Sequence, residues 1–140
     1  MDAQKIIETI DATNAFGNLL GTKIEKVEPG FARVSLVIKP EFTNPYKTIH
    51  GGVLYTMADM AGGTAAYTSG APVVTVDSSF HFLHAGRNVT KLIAEGRVIR
   101  DGKSISVFDV SVMDQDEKEL CRGTFTYAKI AGDKVGIKLQ

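Results

Sequence analysis

Residues 50–68 contain one charged side chain, Asp59, in a stretch otherwise made of small, apolar and uncharged residues. If the stretch is an α-helix, its apolar residues cover nearly the whole circumference of that helix. A helix that is apolar on all sides is buried, whereas a helix at a protein surface is amphipathic. The stretch is too short and too rich in glycine to span a membrane. The sequence therefore predicts a long helix at the centre of the protein, with other elements packed around it.

Six further segments have the polar and apolar patterning and the β-branched residues that are typical of β-strands. The turn-forming pairs Pro29-Gly30 and Asp101-Gly102 separate neighbouring segments and favour antiparallel hairpins. The predicted strands span residues 22–27, 32–38, 73–82, 91–100, 104–113 and 120–130.

The remaining segments complete the predicted fold. A helical pattern over residues 3–19 is interrupted by Gly17 and Gly21, and a polar loop over residues 39–49 precedes the central helix. An antiparallel sheet commonly has helix on one face and solvent on the other. The sequence therefore predicts a single α+β domain over residues 1–140, in which a curved antiparallel sheet of about six strands wraps around the long central helix.

The formal net charge is zero, since 16 Lys and Arg residues balance 16 Asp and Glu residues. A balanced charge argues against a dedicated nucleic-acid-binding protein, and it leaves little charge repulsion to oppose self-association. The single cysteine, Cys121, excludes a disulfide within the chain and fits a reducing compartment. The N-terminal sequence is mixed and charged rather than an apolar leader. We therefore expect a cytoplasmic protein that binds neither nucleic acid nor membranes.

A motif at the start of the central helix carries a family resemblance. Asn44 precedes His50-Gly51-Gly52 by six residues, and Asp59 follows His50 by nine. This spacing, together with the order of the predicted elements, resembles the hotdog-fold acyl-CoA thioesterases, in particular the PaaI-like group of the phenylacetate pathway. The resemblance implies the hotdog fold and the hydrolysis of an acyl-CoA to a free acid and coenzyme A, with no cofactor. It also implies homodimers, often paired into tetramers, with sites between subunits.

The residue types at these positions suit that chemistry. Gly51 and Gly52 lie where the helix begins, and the first turn of a helix presents unpaired N–H groups at the positive end of the helix dipole. Glycine lets a ligand approach this backbone closely, so that a thioester carbonyl can be polarised there. Asp59 is a carboxylate within an otherwise uncharged helix, which makes it a candidate general base or nucleophile.

The distance between these groups has a consequence for assembly. Gly51 and Asp59 are eight residues apart, which is about 12 Å along a helix that rises ~1.5 Å per residue. One thioester carbon cannot contact both groups within one subunit. If both act on the same carbonyl, Asp59 must come from a second copy of the chain, and a two-fold interface then creates two equivalent sites.

The resemblance assigns a role to each matching residue. It implies that the Gly51 N–H polarises the thioester carbonyl and that Asp59 of the other subunit activates water or attacks directly. Asn44 helps to position the water or the thioester. Thr75, in the predicted third strand, forms a hydrogen bond to the attacking water. His50 serves the structure near the helix start rather than acting as the base.

Further residues are candidates for substrate binding. His50 and Gly52 belong to the motif, and a coenzyme A thioester also needs cations for its phosphate groups. The candidate cations flank two predicted loops: Arg87, Lys91, Arg100 and Lys103. The candidates to line the acyl pocket are Phe16, Leu19, Leu20, Tyr46 and Met57.

No metal site is expected from the sequence. His81 and His84 are three residues apart in or near a predicted strand, so their side chains point to opposite faces, and no acid or cysteine lies beside them. Cys121 has no recognisable nucleophile setting, and we interpret it as a small core residue.

Two alternatives to the thioesterase remain open at this point. One is a hotdog hydratase or dehydratase, with His50 as the base beside Asp59. The other is a non-catalytic acyl-CoA-binding module, because a fold does not determine a function. The sequence does not identify the acyl group or the cations that hold the phosphates. It also leaves open whether Asp59 attacks directly or acts as a general base, and whether the protein is a dimer or a tetramer.

Overall fold

The computed structural model describes residues 1–131; residues 132–140, which the predicted domain includes, lie outside the described residues. Within residues 1–131, no helix is both long and apolar enough to cross a membrane. The elements in chain order are α1 (Ala3–Thr13), α2 (Ala15–Leu20), β1 (Lys23–Glu28), β2 (Phe31–Val37), a 3-10 turn (Pro40–Phe42), α3 (Gly51–Tyr67), β3 (Val73–Phe82), β4 (Lys91–Asp101), β5 (Ile105–Met113) and β6 (Glu119–Lys129).

The six strands form one antiparallel sheet in the order β1-β2-β4-β5-β6-β3, so that β1 and β3 are its edges. Helix α3 packs across this sheet and contacts every strand. Each strand and the central helix begin and end within one residue of the predicted bounds. The predicted architecture, an antiparallel sheet around a central helix, is therefore confirmed.

Small residues allow α3 to lie very close to the sheet. Ala58, Ala61 and Ala65 are fully buried on the side of α3 that faces the strands. Opposite them, Gly96 of β4 has no side chain, and a Cβ there would lie 2.7 Å from the carbonyl oxygen of Ala61. Backbone therefore meets backbone at this point, which only glycine permits.

One side of α3 remains open, contrary to the expectation of a helix buried nearly all round. Tyr55 is 37% exposed and Asp59 is half-buried, because the sheet of a single subunit covers only part of the helix. The adjacent edge strand β3 is also uncovered, and the large apolar side chains of Val74, Val76 and Phe82 are exposed there. The open side of α3 and the β3 edge thus form one continuous uncovered surface.

The break in the N-terminal helical pattern lies at Asn14, so its placement at Gly17 is wrong. The Asn14 backbone N–H ends α1 by donating to the Ile10 carbonyl, and its side-chain Oδ1 accepts from the Gly17 N–H to begin α2. Gly17 lies inside α2, where a Cβ would overlap the Asn14 side chain. Gly21 ends α2 with a φ of 94°, as the sequence predicted.

Replacing Gly96 tests the close approach of α3 to β4. We expect Gly96→Ala to lower the free energy of unfolding by about 1–3 kcal/mol, because the added Cβ overlaps backbone that cannot turn away. Urea denaturation measures this change. Gly63→Ala is the matched control, since its Cβ would meet only a ring carbon of Tyr127 at 3.7 Å and alanine favours helix. An equal loss in both variants would contradict the close-approach interpretation.

Candidate active site

His50 caps the start of α3. Its backbone is extended, and its Nδ1 accepts a hydrogen bond of 2.8 Å from the Gly52 N–H. The His50 carbonyl accepts from the N–H groups of Val53 and Leu54. Three of the first four N–H groups of α3 therefore already have a partner, and the ring of His50 has a structural task, as the sequence indicated.

The Gly51 N–H is the remaining group. Within residues 1–131, none of the hydrogen bonds uses it. It lies at the positive end of the α3 dipole, and the exposed Phe82 ring lies against the same glycine, 3.3 Å from where a Cβ would be. This N–H is therefore available to an acceptor such as a carbonyl oxygen.

Asn44 shapes the loop that leads into α3. Its Oδ1 accepts from the backbone N–H groups of Tyr46 and Thr48, and its Nδ2 donates to the Thr48 hydroxyl. The loop is closed further by the bond from the His50 N–H to the Phe42 carbonyl. Asn44 thus holds the approach to Gly51 in place through bonds within its own loop.

Asp59 lies two turns further along α3 and is held by two hydroxyl groups. Thr75 of β3 donates to its Oδ1 at 2.7 Å, and Tyr127 of β6 donates to the same oxygen at 3.2 Å. The Tyr127 hydroxyl also lies 3.1 Å from the Asp59 carbonyl oxygen. The structure therefore brings Thr75 and Asp59 together, as expected, although Thr75 contacts the carboxylate directly.

Tyr127 is the site residue that sequence reasoning missed. In the sequence it is one apolar position of the last predicted strand, but in the structure it is 1% exposed, and a buried tyrosine hydroxyl needs a hydrogen-bond partner. The need of a buried tyrosine hydroxyl for a hydrogen-bond partner is the signal by which the sequence points to a polar contact at Tyr127. Burial and the neighbouring Asp59 carboxylate raise the pKa of Tyr127 far above its usual range, so the hydroxyl remains a donor.

Cys121 is a core residue, as predicted. Its side chain is fully buried, and burial raises the pKa of the thiol to about 12. A thiol in this state does not supply a nucleophilic thiolate at neutral pH.

The single subunit does not bring Asp59 to Gly51. Both lie on the continuous helix α3, and eight residues of helix place them about 12 Å apart. The two halves of the proposed chemistry are therefore separate: an open N–H at the helix start, and a carboxylate with its hydroxyl partners two turns away.

Two cavities lie along the same side of α3. One, of about 240 Å³, lies beside Asp59 and Thr75 between α1, α3 and β3, with Ile10, Met60 and Tyr67 in its walls. The other, of about 690 Å³, lies at the start of α3 beside His50 and Gly52.

The five residues predicted to line the acyl pocket lie in three different parts of the structure. Phe16, Leu19 and Leu20 line the larger cavity. Tyr46 lies outside both cavities and is exposed. Met57 is fully buried in the core between α3 and the sheet, so its place in an acyl pocket is wrong.

The candidate cations lie at two opposite ends of β4. Lys91 begins this strand, and Arg87 follows Gly86, whose carbonyl accepts from the Ile49 N–H near the start of α3. Arg100 and Lys103 flank the other end, at the level of Thr75 in the sheet. The nine residues from Lys91 to Arg100 span about 30 Å, so one subunit does not gather all four around one nucleotide.

Comparisons with known proteins agree with this geometry. The model of the family described as "Thioesterase superfamily" matches residues 46–121. The acyl-coenzyme A thioesterase PaaI of Escherichia coli is 30% identical over 75% of this chain and 75% of its own length. The structure of the E. coli PaaI protein from the phenylacetic acid degradation operon superposes with a TM-score of 0.87 at 25% identity, covering 91% of this chain and 93% of that one.

Two streptococcal structures are also similar. A Streptococcus mutans protein bound to acetyl-CoA matches with a TM-score of 0.75 and 29% identity, over 79% of this chain and 90% of its own. A Streptococcus pneumoniae hypothetical thioesterase with coenzyme A matches with a TM-score of 0.74 and 30% identity, over the same shares. Structures of two single-residue variants of the S. pneumoniae protein are also similar: one replaces an aspartate with alanine, and the other replaces a threonine with alanine. That threonine follows that aspartate by 16 residues, which is also the separation of Asp59 and Thr75 in this chain.

Replacing His50 tests its capping role. We expect His50→Ala to reduce stability by about 1 kcal/mol, because it leaves the Gly52 N–H without its acceptor. Thermal unfolding measures the loss. His50→Asn is the matched control, since asparagine is a good capping residue and should retain most of the stability. A loss with asparagine as large as with alanine would show that the ring is needed for something other than capping.

Proposed function

This chain belongs to the thioesterase superfamily and is a PaaI-like thioester hydrolase of the hotdog fold, and we propose that it hydrolyses an acyl-CoA at a site that two subunits form together. In this proposal, residues 1–140 form one domain. Gly51 of one subunit polarises the thioester carbonyl, and Asp59 of the partner subunit is the general base or nucleophile. The observation that carries the proposal is that, among residues 1–131, the Gly51 N–H has no partner while the N–H groups on either side of it at the helix start are paired.

The uncovered surface beside β3 supports the dimer. An edge strand presents unpaired backbone groups to another chain, and β3 adds exposed apolar side chains to that edge. If a two-fold axis pairs β3 with its copy, the two α3 helices run antiparallel across the same surface. Gly51 of each subunit then approaches Asp59 of the other, which removes the separation of about 12 Å.

The chemistry follows from the two halves of this composite site. The thioester oxygen accepts a hydrogen bond from the Gly51 N–H, which stabilises the negative charge that develops there. In the general-base route, Asp59 takes a proton from water and the hydroxyl adds to the carbonyl carbon. The carbon–sulfur bond then breaks, and coenzyme A leaves as a thiol with that proton. In the nucleophilic route, the Asp59 carboxylate adds to the carbonyl carbon, the carbon–sulfur bond breaks and coenzyme A leaves as a thiolate. Water then cleaves the resulting anhydride, which regenerates the Asp59 carboxylate and frees the acid, and the proton released goes to the thiolate.

Relatives and electrostatics support an acyl-CoA substrate. The two streptococcal proteins bind acetyl-CoA and coenzyme A. In the antiparallel dimer, β5, β6 and β3 of both subunits lie between the two β4 strands, so the two ends of β4 offer separate pairs of cations. Arg87 and Lys91, at the end of β4 nearer Gly51, are one candidate pair for the nucleotide phosphates, and Arg100 and Lys103, at the other end, are the second. Asn44, His50 and Gly52 shape the entrance to the composite site.

The cavity beside Asp59 is the proposed acyl site. It adjoins the carboxylate and Thr75, and its walls are mainly apolar. An apolar cavity of about 150 Å³ holds a benzene molecule, so the 240 Å³ here accommodates more than an acetyl group. The acyl chain thus enters the subunit that supplies Asp59, whereas the polarising N–H comes from the other.

Asp59→Asn tests the proposed activity. We expect turnover of acyl-CoA to fall by about 10²- to 10⁴-fold, because the base or nucleophile is lost. Release of free thiol, followed with a thiol reagent over a panel of acyl-CoAs, measures the rate. Asp11→Asn on the exposed side of α1 removes the same charge away from the site and should leave the rate unchanged.

Three results would contradict the hydrolase. Unchanged thiol release by Asp59→Asn is the first. A change in enoyl absorbance without thiol release would indicate a hydratase. Tight acyl-CoA binding without turnover across the panel would indicate a binding module.

Mixing two inactive variants tests the composite site. Gly51→Pro removes the N–H at the first helical position, where proline is favoured, and the extended backbone of His50 suits a following proline. The added Cβ would lie 3.3 Å from the exposed Phe82 ring, which has room to turn away. A mixed dimer of Gly51→Pro and Asp59→Asn subunits contains one intact site, made by Gly51 of one chain and Asp59 of the other. We expect mixing and refolding to restore thiol release to roughly a quarter of the wild-type rate, since half of the dimers are mixed and each has one of two sites. No recovery, with mixed dimers present by mass spectrometry, would contradict the shared site.

A further inference from the structure

We propose that Tyr127 is a positioning residue for thioester hydrolysis, which holds Asp59 through Oδ1 and so makes Oδ2 the oxygen that reacts. The inference rests on the proposed function and adds to it a residue of β6, the strand beside β3, together with Gly62, which admits the tyrosine hydroxyl.

The hydrogen bonds distinguish the two oxygens of the carboxylate. Oδ1 accepts from the hydroxyls of Thr75 at 2.7 Å and Tyr127 at 3.2 Å. Within residues 1–131, no hydrogen bond reaches Oδ2. Rotation of the carboxylate would break both bonds at once, so its orientation is fixed. Oδ2 is therefore the oxygen left for a water molecule or a thioester carbon.

Tyr127 is well held for this task. Its ring packs face to face with Phe125, at 6.3 Å between centroids, and edge-on against Phe108, at 5.9 Å. Its backbone is paired with Ser106 and Thr75 on the two neighbouring strands. The hydroxyl bridges the Asp59 side chain and the Asp59 carbonyl, so it fixes the carboxylate relative to the helix that carries it.

Gly62 leaves the space that the hydroxyl occupies. A Cβ at this position would overlap the Tyr127 oxygen, whereas the nearest ring carbon would lie at 3.1 Å. At the adjacent Gly63 a Cβ would meet Tyr127 only at 3.7 Å. Glycine at position 62 is thus needed to make room for the Tyr127 hydroxyl more than for the Tyr127 ring.

Tyr127→Phe removes the hydroxyl and keeps the ring. We expect kcat for acyl-CoA hydrolysis to fall about 10- to 100-fold with KM changed by less than about twofold, because the reacting oxygen is misplaced while the substrate contacts remain. Leu36→Val is the packing control: it removes one methylene from a buried side chain of β2, away from Tyr127, and lowers stability, so kcat should remain near wild type. A Tyr127→Phe enzyme with wild-type kcat, or an equal loss in Leu36→Val, would overturn the positioning role.

Combining this change with Gly62→Ala separates positioning from general packing. Alone, Gly62→Ala should displace the hydroxyl and lower kcat as Tyr127→Phe does. In the Tyr127→Phe background the same alanine should lower kcat by less than about twofold, since the group it displaces is already gone. Full additivity of the two losses would overturn the shared role of Gly62 and Tyr127.

A readout without turnover keeps the two proposals apart. If the wild-type protein releases no thiol from any acyl-CoA, the proposed function fails. The ¹³C carboxyl resonance of Asp59 still reports the contact, and we expect Tyr127→Phe to shift it while Leu36→Val, away from Tyr127, leaves it in place. An unchanged resonance in Tyr127→Phe would overturn the inference on its own.

Discussion

Helix α3 lies closer to the sheet than ordinary side chains allow, because alanine and glycine occupy the positions where they meet. Ala61 touches the backbone at Gly96, and Gly62 receives the hydroxyl of Tyr127. This contact places the middle of the helix within hydrogen-bonding distance of strands β3 and β6. Without it, Asp59 would lie beyond the reach of Thr75 and Tyr127, and its half-buried carboxylate would lose both hydrogen-bond partners. The same small residues thus create both the core and the polar contacts of the site.

The helix start and the helix middle are organised in opposite ways. At the start, His50 and Asn44 pair backbone N–H groups within their own segment and leave the Gly51 N–H open. In the middle, two hydroxyls converge on one carboxylate oxygen. One end therefore offers a donor and the other an acceptor, on a helix too rigid to bring them together. Their separation is a fixed length, and in the proposed dimer the second chain closes it.

The sequence was sufficient for the architecture because its main signals are local. The uncharged stretch of the central helix and the strand patterns separated by Pro29-Gly30 and Asp101-Gly102 specify elements that differ from the prediction by at most one residue. The break between the first helices was misplaced because a glycine was given more weight than the capping side chain of Asn14.

The site was predictable only in part. Asp59 is conspicuous as a lone charge, and the motif spacing accounts for Gly51 and Asn44. Tyr127 lies 68 residues from Asp59, and its contact depends on strand register and on the side chain missing at Gly62. No local pattern encodes such a contact. The location of the cations at opposite ends of β4, by contrast, follows from the predicted strand over residues 91–100.

In the proposed function, the cavity beside Asp59 gives the recognition of the acyl group a wall that the reacting groups do not share. One wall belongs to α1, which joins the rest of the chain through the cap at Asn14, while the carboxylate belongs to α3. Substitutions at Ile10 or its neighbours in α1 reshape that wall without touching Gly51, Asp59 or Tyr127. Descendants of this sequence can therefore diversify in the acids they release while the reaction itself is inherited unchanged, and differences among them should accumulate in the first helix before they reach the third.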